Sequence, residues 1–281
     1  MANYSVADLK ALREKTGAGM LDVKKALEEA GGDSAKAEEI IRVKGLKGIG
    51  KREGRAASDG LVAATVVPLA SGDGEVGVLV EINSETDFVA KSGPFLALAD
   101  RVLAAAVASG AADADALVAA DTDGTTVQGA VDEVQATLGE KVVVRRVTRV
   151  AGEHVDVYLH KVNKDLPPQV GVLVATDAAG ASVARDIATH IAAYSPTYLS
   201  RDEVPEEVVA SERHIAEETA RNEGKPEAAL PKIVEGRLVG YFKENVLLDQ
   251  AFAKDPKKSV QQVLAEVGGS VTGFARYRVG A

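Results

Sequence analysis

At 281 residues the chain has room for about two domains and buries roughly three quarters of the surface its unfolded form would expose. With 4% aromatic side chains and no Trp, its core must be built from Val, Ala, Leu and Ile. Thirty-three basic against 42 acidic side chains leave a net charge of -9, which disfavours general attraction to nucleic-acid phosphates or an anionic membrane, and the lack of cysteine excludes disulfides, a thiolate zinc site and a cysteine nucleophile.

The chain opens on Met1 to Asp8, with an acid where a secretory leader needs its apolar core. Its longest candidate for a membrane span, Val102 to Ala112, is too short and too Ala-rich to cross a bilayer, and Asp100 and Arg101 precede it. The expectation is a soluble, cytoplasmic protein with no membrane partner.

From Ser5 to Lys44 the apolar spacing is helical. Ser5 and Asp8 form a capping-box variant ahead of Val6, Leu9 and Leu12, and Thr16-Gly17-Ala18-Gly19 stops that helix. A second helix through Leu21 and Leu27 ends at Gly31-Gly32, and Asp33 caps a third that runs to about Lys44. Gly45 to Arg52, rich in glycine and basic side chains, reads as a linker that few contacts should cross. These helices and that linker make a small N-terminal domain over residues 1–55.

Beyond it the period becomes that of strands. Leu61 to Leu69 and Val76 to Ile82 flank a hairpin turn at Ala70 to Gly74. Phe95, Leu98, Val102 and Ala106 then lie at helical spacing. A polar connection, Asp113 to Thr126, leads to a helix near Val127 to Leu138 and a strand near Val142 to Val150. The second half repeats this order: strands Val155 to Val162 and Val170 to Ala175, a helix Val183 to Ala193 and a closing strand Val271 to Val279. Val76-Gly77-Val78-Leu79-Val80 recurs letter for letter as Val170-Gly171-Val172-Leu173-Val174. A match at the same place in the same order of elements implies two related subdomains, 56–151 and 152–281. Asp202 to Arg221 and Pro231 to Asn245 are charged helical segments joined by a Gly-Lys-Pro turn, an antiparallel hairpin inserted into the second copy over about 202–245. The fold class is therefore α+β, with helices on one face of small antiparallel sheets.

Motifs that would signal catalysis fail on context. Gly45-x-x-x-x-Gly50-Lys51 lacks the Ser or Thr of a phosphate loop, having Arg52, and it follows a helix instead of a strand. Gly72-x-Gly74-x-x-Gly77 leads into a strand, so no helix N-terminus waits for a pyrophosphate. His154, His160, His190 and His214 lie on separate elements with no third ligand at metal spacing, and read as packing or surface residues. The expectation is a protein that is not an enzyme and needs no cofactor.

The unusual site is the corner Glu81 to Ala90. Phe88, one of only five phenylalanines, stands there between Asp87 and Val89, while the matching corner of the second copy, Thr176 to Gly180, has no aromatic. Two readings stay open on the residues alone: the ring tucks under its own loop while Thr86 or Asp87 caps a helix, or it marks a partner site.

Thr16 to Leu27, with its Thr-Gly-Ala-Gly-Met start, and Glu85-Thr86-Asp87-Phe88-Val89-Ala90-Lys91 closely resemble the two signature segments of the bacterial elongation factor Ts family. The resemblance continues through Glu53-Gly54-Arg55, Gly139 to Val150, Glu235-Gly236-Arg237 and Val271 to Phe274, in order along nearly the whole chain. It implies a ubiquitin-associated-like three-helix head, a core of two related subdomains and a protruding helical hairpin. It implies a partner, elongation factor Tu carrying GDP, and a function: nucleotide release is hastened by a disturbance of that partner's nucleotide and magnesium site. Thr86, Asp87, Phe88 and Val89 match the segment responsible in the family; Met20, Lys24, Leu138, Gly139 and His160 match further partner contacts. Family members often carry cysteine where Val23 and Ser84 stand, and neither change touches a proposed contact.

Overall fold

A computed structural model describes residues 3–48, 50 and 52–281. Ser5 opens α1 (Val6–Thr16) with a complete capping box: its hydroxyl accepts from the Asp8 amide, and the Asp8 carboxylate accepts from the Ser5 amide at 2.8 Å. Those hydrogen bonds hold the Asp8 carboxyl below its usual value. Gly17 closes the helix at φ +69°, a conformation that glycine adopts without strain. α2 (Met20–Glu29) and α3 (Ser34–Gly48) follow, and Asp33 caps α3 by accepting from the amides of Ala35 and Lys36. Leu12, Ala18, Val23, Leu27 and Ile41 form the core of this head.

The expected linker is mostly not one. Gly45 to Gly48 are the last turn of α3; Ile49 and Lys51 lie outside the described residues.

The first α+β unit contains β1 (Asp59–Pro68), β2 (Glu75–Ser84), the single-turn α4 (Asp87–Ala90) and α5 (Gly93–Ser109). There follow α6 (Ala114–Ala119), a two-residue hairpin of β3 (Asp121–Thr122) and β4 (Thr125–Thr126), α7 (Val127–Leu138) and β5 (Val142–Gly152). Asp113 to Thr126 is thus not simply a polar connection: Asp113 caps α6 and Thr126 caps α7. The sheet is antiparallel in the order β1-β2-β5. Val78, Val80 and Ile82 alternate toward the helices and pack with Phe95, Leu98, Val102 and Val131.

The second unit repeats this plan with β6 (His154–His160), β7 (Val170–Thr176) and α8 (Ala181–Tyr194). The inserted arm is α9 (Glu206–Asn222) and α10 (Leu230–Asn245), joined over a small core of Ala216, Val234 and Leu238. The expectations omitted the hairpin β8 (Ala251–Phe252) and β9 (Asp255–Ser259) and the helix α11 (Val260–Val267), which precede the closing strand β10 (Val271–Arg278). The sheet order is β10-β7-β6.

The two sheets pack back to back, so the core is layered helix, sheet, sheet, helix. Val62, Leu79 and Leu173 are buried between them. Each central strand carries one copy of the repeated pentapeptide, and the copies interlock: a Cβ at Gly77 would lie 2.8 Å from Leu173 Cδ2, and one at Gly171 would lie 2.7 Å from Leu79 Cδ1. Glu81 is fully buried in this layer. Its carboxylate accepts from Arg146 Nε at 2.6 Å, Asn83 Nδ2 at 3.0 Å and the Gly280 amide at 3.1 Å.

The head is docked on the core through α3 and α7. A Cβ at Gly45 would fall 1.9 Å from the Ala136 carbonyl oxygen, so the two helix backbones touch. Arg52 donates to the carbonyls of Gly45 and Gln135, bridging the ends of both helices, and Arg42 pairs with Glu133. No described helix is long and apolar enough to cross a membrane.

Candidate functional site

The corner between β2 and α5 is built outward. Thr86, in extended conformation, caps α4 by accepting the Val89 amide on its hydroxyl at 3.4 Å. A single turn must place successive side chains around its whole circumference. Val89 and Ala90 point inward and are buried, whereas Phe88 is left 75% exposed. The tucked-ring reading therefore fails for Phe88, although its other half holds, since Thr86 is the cap. Lys91 Nζ sits 4.6 Å from the Phe88 ring centre and 3.4 Å from the Asp87 carboxylate, so one ammonium addresses both residues.

Two glutamates, one on each side, brace the corner against the loop that joins α7 to β5. Glu140 accepts from the Thr86 amide at 3.1 Å and the Thr86 hydroxyl at 2.8 Å. In return Glu85 accepts from the Lys141 amide at 2.6 Å and pairs with Arg55 at 3.2 Å. Sequence reading passed over Glu140, because its partner is 54 residues away and no spacing rule links them.

The neighbouring loop holds Leu138 and Gly139. Gly139 ends α7 at φ +79° and is half-buried. Leu138 is only 7% exposed: its side chain lies under the head, 2.6 Å from where a Cβ of Gly17 would be. The structure thus gives Leu138 to the head–core seam and leaves Gly139 nearer the surface. On the head side Met20 begins α2 and is 43% exposed, with Lys24 one turn later, also exposed and 3.9 Å from Glu28. A cleft of about 180 Å3, lined by Gly19, Asp22, Lys25, Leu138 and Gly139, separates this end of the head from the core. Head, cleft, loop and corner are therefore contiguous: Gly17 faces Leu138 and Pro94, and Glu140 holds Thr86.

His160 lies on the second unit, outside the corner and its bracing loop. It is exposed at the end of edge strand β6, where its Nδ1 lies 3.2 Å from the Tyr158 hydroxyl; among the described residues no hydrogen bond or ion pair joins it to the corner. The matching corner of the second unit is spent internally. Asp177 accepts from the Ser270 hydroxyl at 2.6 Å and the amides of Ser270 and Gly180, contacts that hold its carboxyl below the ordinary value. Among the described residues no group of three or more His, Asp or Glu side chains converges as a metal centre.

Residues 85–281 match the family described as Elongation factor TS. Proteins named Elongation factor Ts from Beutenbergia cavernae, Micrococcus luteus and Renibacterium salmoninarum are 70%, 65% and 64% identical to this chain, each alignment covering 100% of both sequences.

Proposed function

The chain belongs to the elongation factor Ts family of translation elongation factors, and on that premise we propose that it binds elongation factor Tu carrying GDP and accelerates release of that nucleotide, so that GTP binds in its place. The observation that carries this reading is the 75% exposure of Phe88 on a capped and braced turn. A ring held in this way loses little conformational freedom on docking, so most of its burial appears as affinity. Burying a phenylalanine contributes about 1.5–3 kcal/mol, or roughly ten- to hundredfold in an equilibrium constant.

The thermodynamics needs no bond-making residue. A protein that prefers the nucleotide-free partner weakens nucleotide binding by the same factor, and nucleotide weakens its binding in turn. Phe88 supplies that preference by filling a groove open only when the partner's nucleotide-binding loops are displaced, while Asp87 competes for polar contacts beside the partner's magnesium. Met20, Lys24 and Gly139 extend the same face, and His160 supplies a further contact from β6. The chain acts by binding alone, with no nucleotide, cofactor or nucleic acid of its own.

Release of a fluorescent GDP from elongation factor Tu, with catalytic amounts of this protein, tests the proposal. Multiple turnovers of accelerated release are expected, and equilibrium dialysis of GDP against the free chain should show no binding. An unchanged release rate overturns the reading.

A further inference from the structure

We propose that Glu140 is a positioning residue for the exchange step: it sets the Thr86 hydroxyl so that α4, and with it Phe88, is held ready to dock. The proposal rests on the exchange reading above and goes beyond it, since the hydrogen bonds of Glu140 go to Thr86 and not to Asp87.

One proton decides how Thr86 is held. A threonine hydroxyl can donate once and accept through its lone pairs, whereas a carboxylate only accepts. Thr86 Oγ1 lies 2.8 and 3.0 Å from the two Glu140 oxygens, so its proton points at Glu140. Its lone pairs are then directed away from Glu140, and the Val89 amide donates to one of them at 3.4 Å. The same carboxylate takes the Thr86 backbone amide at 3.1 Å, which fixes the residue's backbone as well as its rotor. Without Glu140 the hydroxyl is free to turn its proton elsewhere and the cap on a helix of only four residues loosens. A helix this short has few backbone hydrogen bonds to keep its form, from the Ala90 amide to the Thr86 carbonyl at 3.1 Å and from the Lys91 amide to the Asp87 carbonyl at 3.3 Å.

Among the described residues the Glu140 carboxylate takes hydrogen bonds only from Thr86 and forms no ion pair, unlike Glu85 beside Arg55. Its place directly after Gly139 also couples the α7–β5 loop to the corner, so a displacement of one carries the other.

The test is a cycle of single and double variants read by GDP release at saturating concentration of this protein. Glu140→Ala is expected to lower the saturating rate about tenfold with little change in the half-saturating concentration. Thr86→Val should match it, and Glu140→Gln, which keeps one acceptor oxygen, should fall between. In a Phe88→Ala background, Glu140→Ala should cost nothing further, because it acts through the ring. Amide exchange at Val89 should quicken in Glu140→Ala at a near-native melting temperature. Additive losses in the double variant would mean that Glu140 meets the partner directly, and they overturn the proposal, as does unchanged Val89 protection. Full exchange by Glu140→Ala when Phe88→Ala is impaired overturns the positioning role alone. Full exchange by Phe88→Ala overturns the exchange reading and the positioning role with it.

Discussion

Leu173 in the central strand of the second sheet fills the notch at Gly77 in the central strand of the first, 2.8 Å from where a side chain would begin; Leu79 does the same at Gly171. The repeated pentapeptide is thus a lock, each copy offering one notch and one knob. Gly77→Val should destabilise the core by about 2–3 kcal/mol through overpacking. Urea unfolding measures this, and Leu173→Ala in the same chain should restore part of the loss, because the two sites share one space.

The head should prove to be fastened rather than tethered. Valine at Gly45 meets the Ala136 carbonyl, a backbone atom that cannot rotate aside. Gly45→Val is therefore expected to keep α3 helical while undocking the head, with unchanged circular dichroism, faster proteolysis near residue 50 and about a tenfold higher half-saturating concentration in exchange. Deleting residues 1–44 uncovers Leu138 and α7, and should lower the melting temperature of the remaining core by about 5 °C, given roughly 2–4 °C per kcal/mol for a chain of this size.

Phe88 separates folding from function. Because the ring is exposed, Phe88→Ala should change stability by no more than about 0.5 kcal/mol. As a docking anchor its loss should lower exchange efficiency about thirtyfold, equivalent to about 2 kcal/mol. Asp87→Ala should act in the same direction more weakly, since an acid at the rim contributes less than a desolvated anchor. Melting temperature and GDP-release rate, measured on the same preparation, decide the matter.

His190 gives stability a pH dependence of predictable sign. It is fully buried between Tyr194 and Phe252; its Nδ1 accepts the Ala253 amide at 3.2 Å and its Nε2 lies 2.9 Å from Gln250 Oε1, which fixes the neutral tautomer. Burial pulls its pKa below the ordinary 6.5. The unfolded chain therefore binds the extra proton first, and stability present above about pH 7 is lost as pH falls through 6 toward the folded value. Melting curves from pH 7.5 to 5 should show this slope in the native protein and a flatter one in His190→Gln. Asp8 and Asp177, both held below the usual carboxyl value, weaken the fold only below about pH 4.

Local chemistry was legible where it was self-contained. The Ser5 box, the strand-to-helix order and the repeated pentapeptide need only neighbours in the chain. The Gly45 region misled because glycine serves two ends: it breaks helices, and it also lets two helix backbones touch, as here against Ala136. One sequence does not distinguish these uses. Leu138 matched a contact position, yet burial under Gly17 is a property of how the head folds back. Glu140 left no trace in any period, since its value lies in a bond that spans 54 residues.

The Glu81 carboxylate has a consequence for synthesis. Gly280, whose amide donates to it, lies 199 residues downstream, and β10, which covers this layer, ends at Arg278 just before it. At roughly 5–20 residues per second, a ribosome takes about 10–40 s to travel from one to the other. Through that interval the nascent chain carries a carboxylate destined for the interior with its last donor still unmade, and a hydrophobic sheet face still without its cover. A protein that serves translation thus spends much of its own translation unable to close, and a companion that shields nascent chains would have its longest opportunity between these two residues.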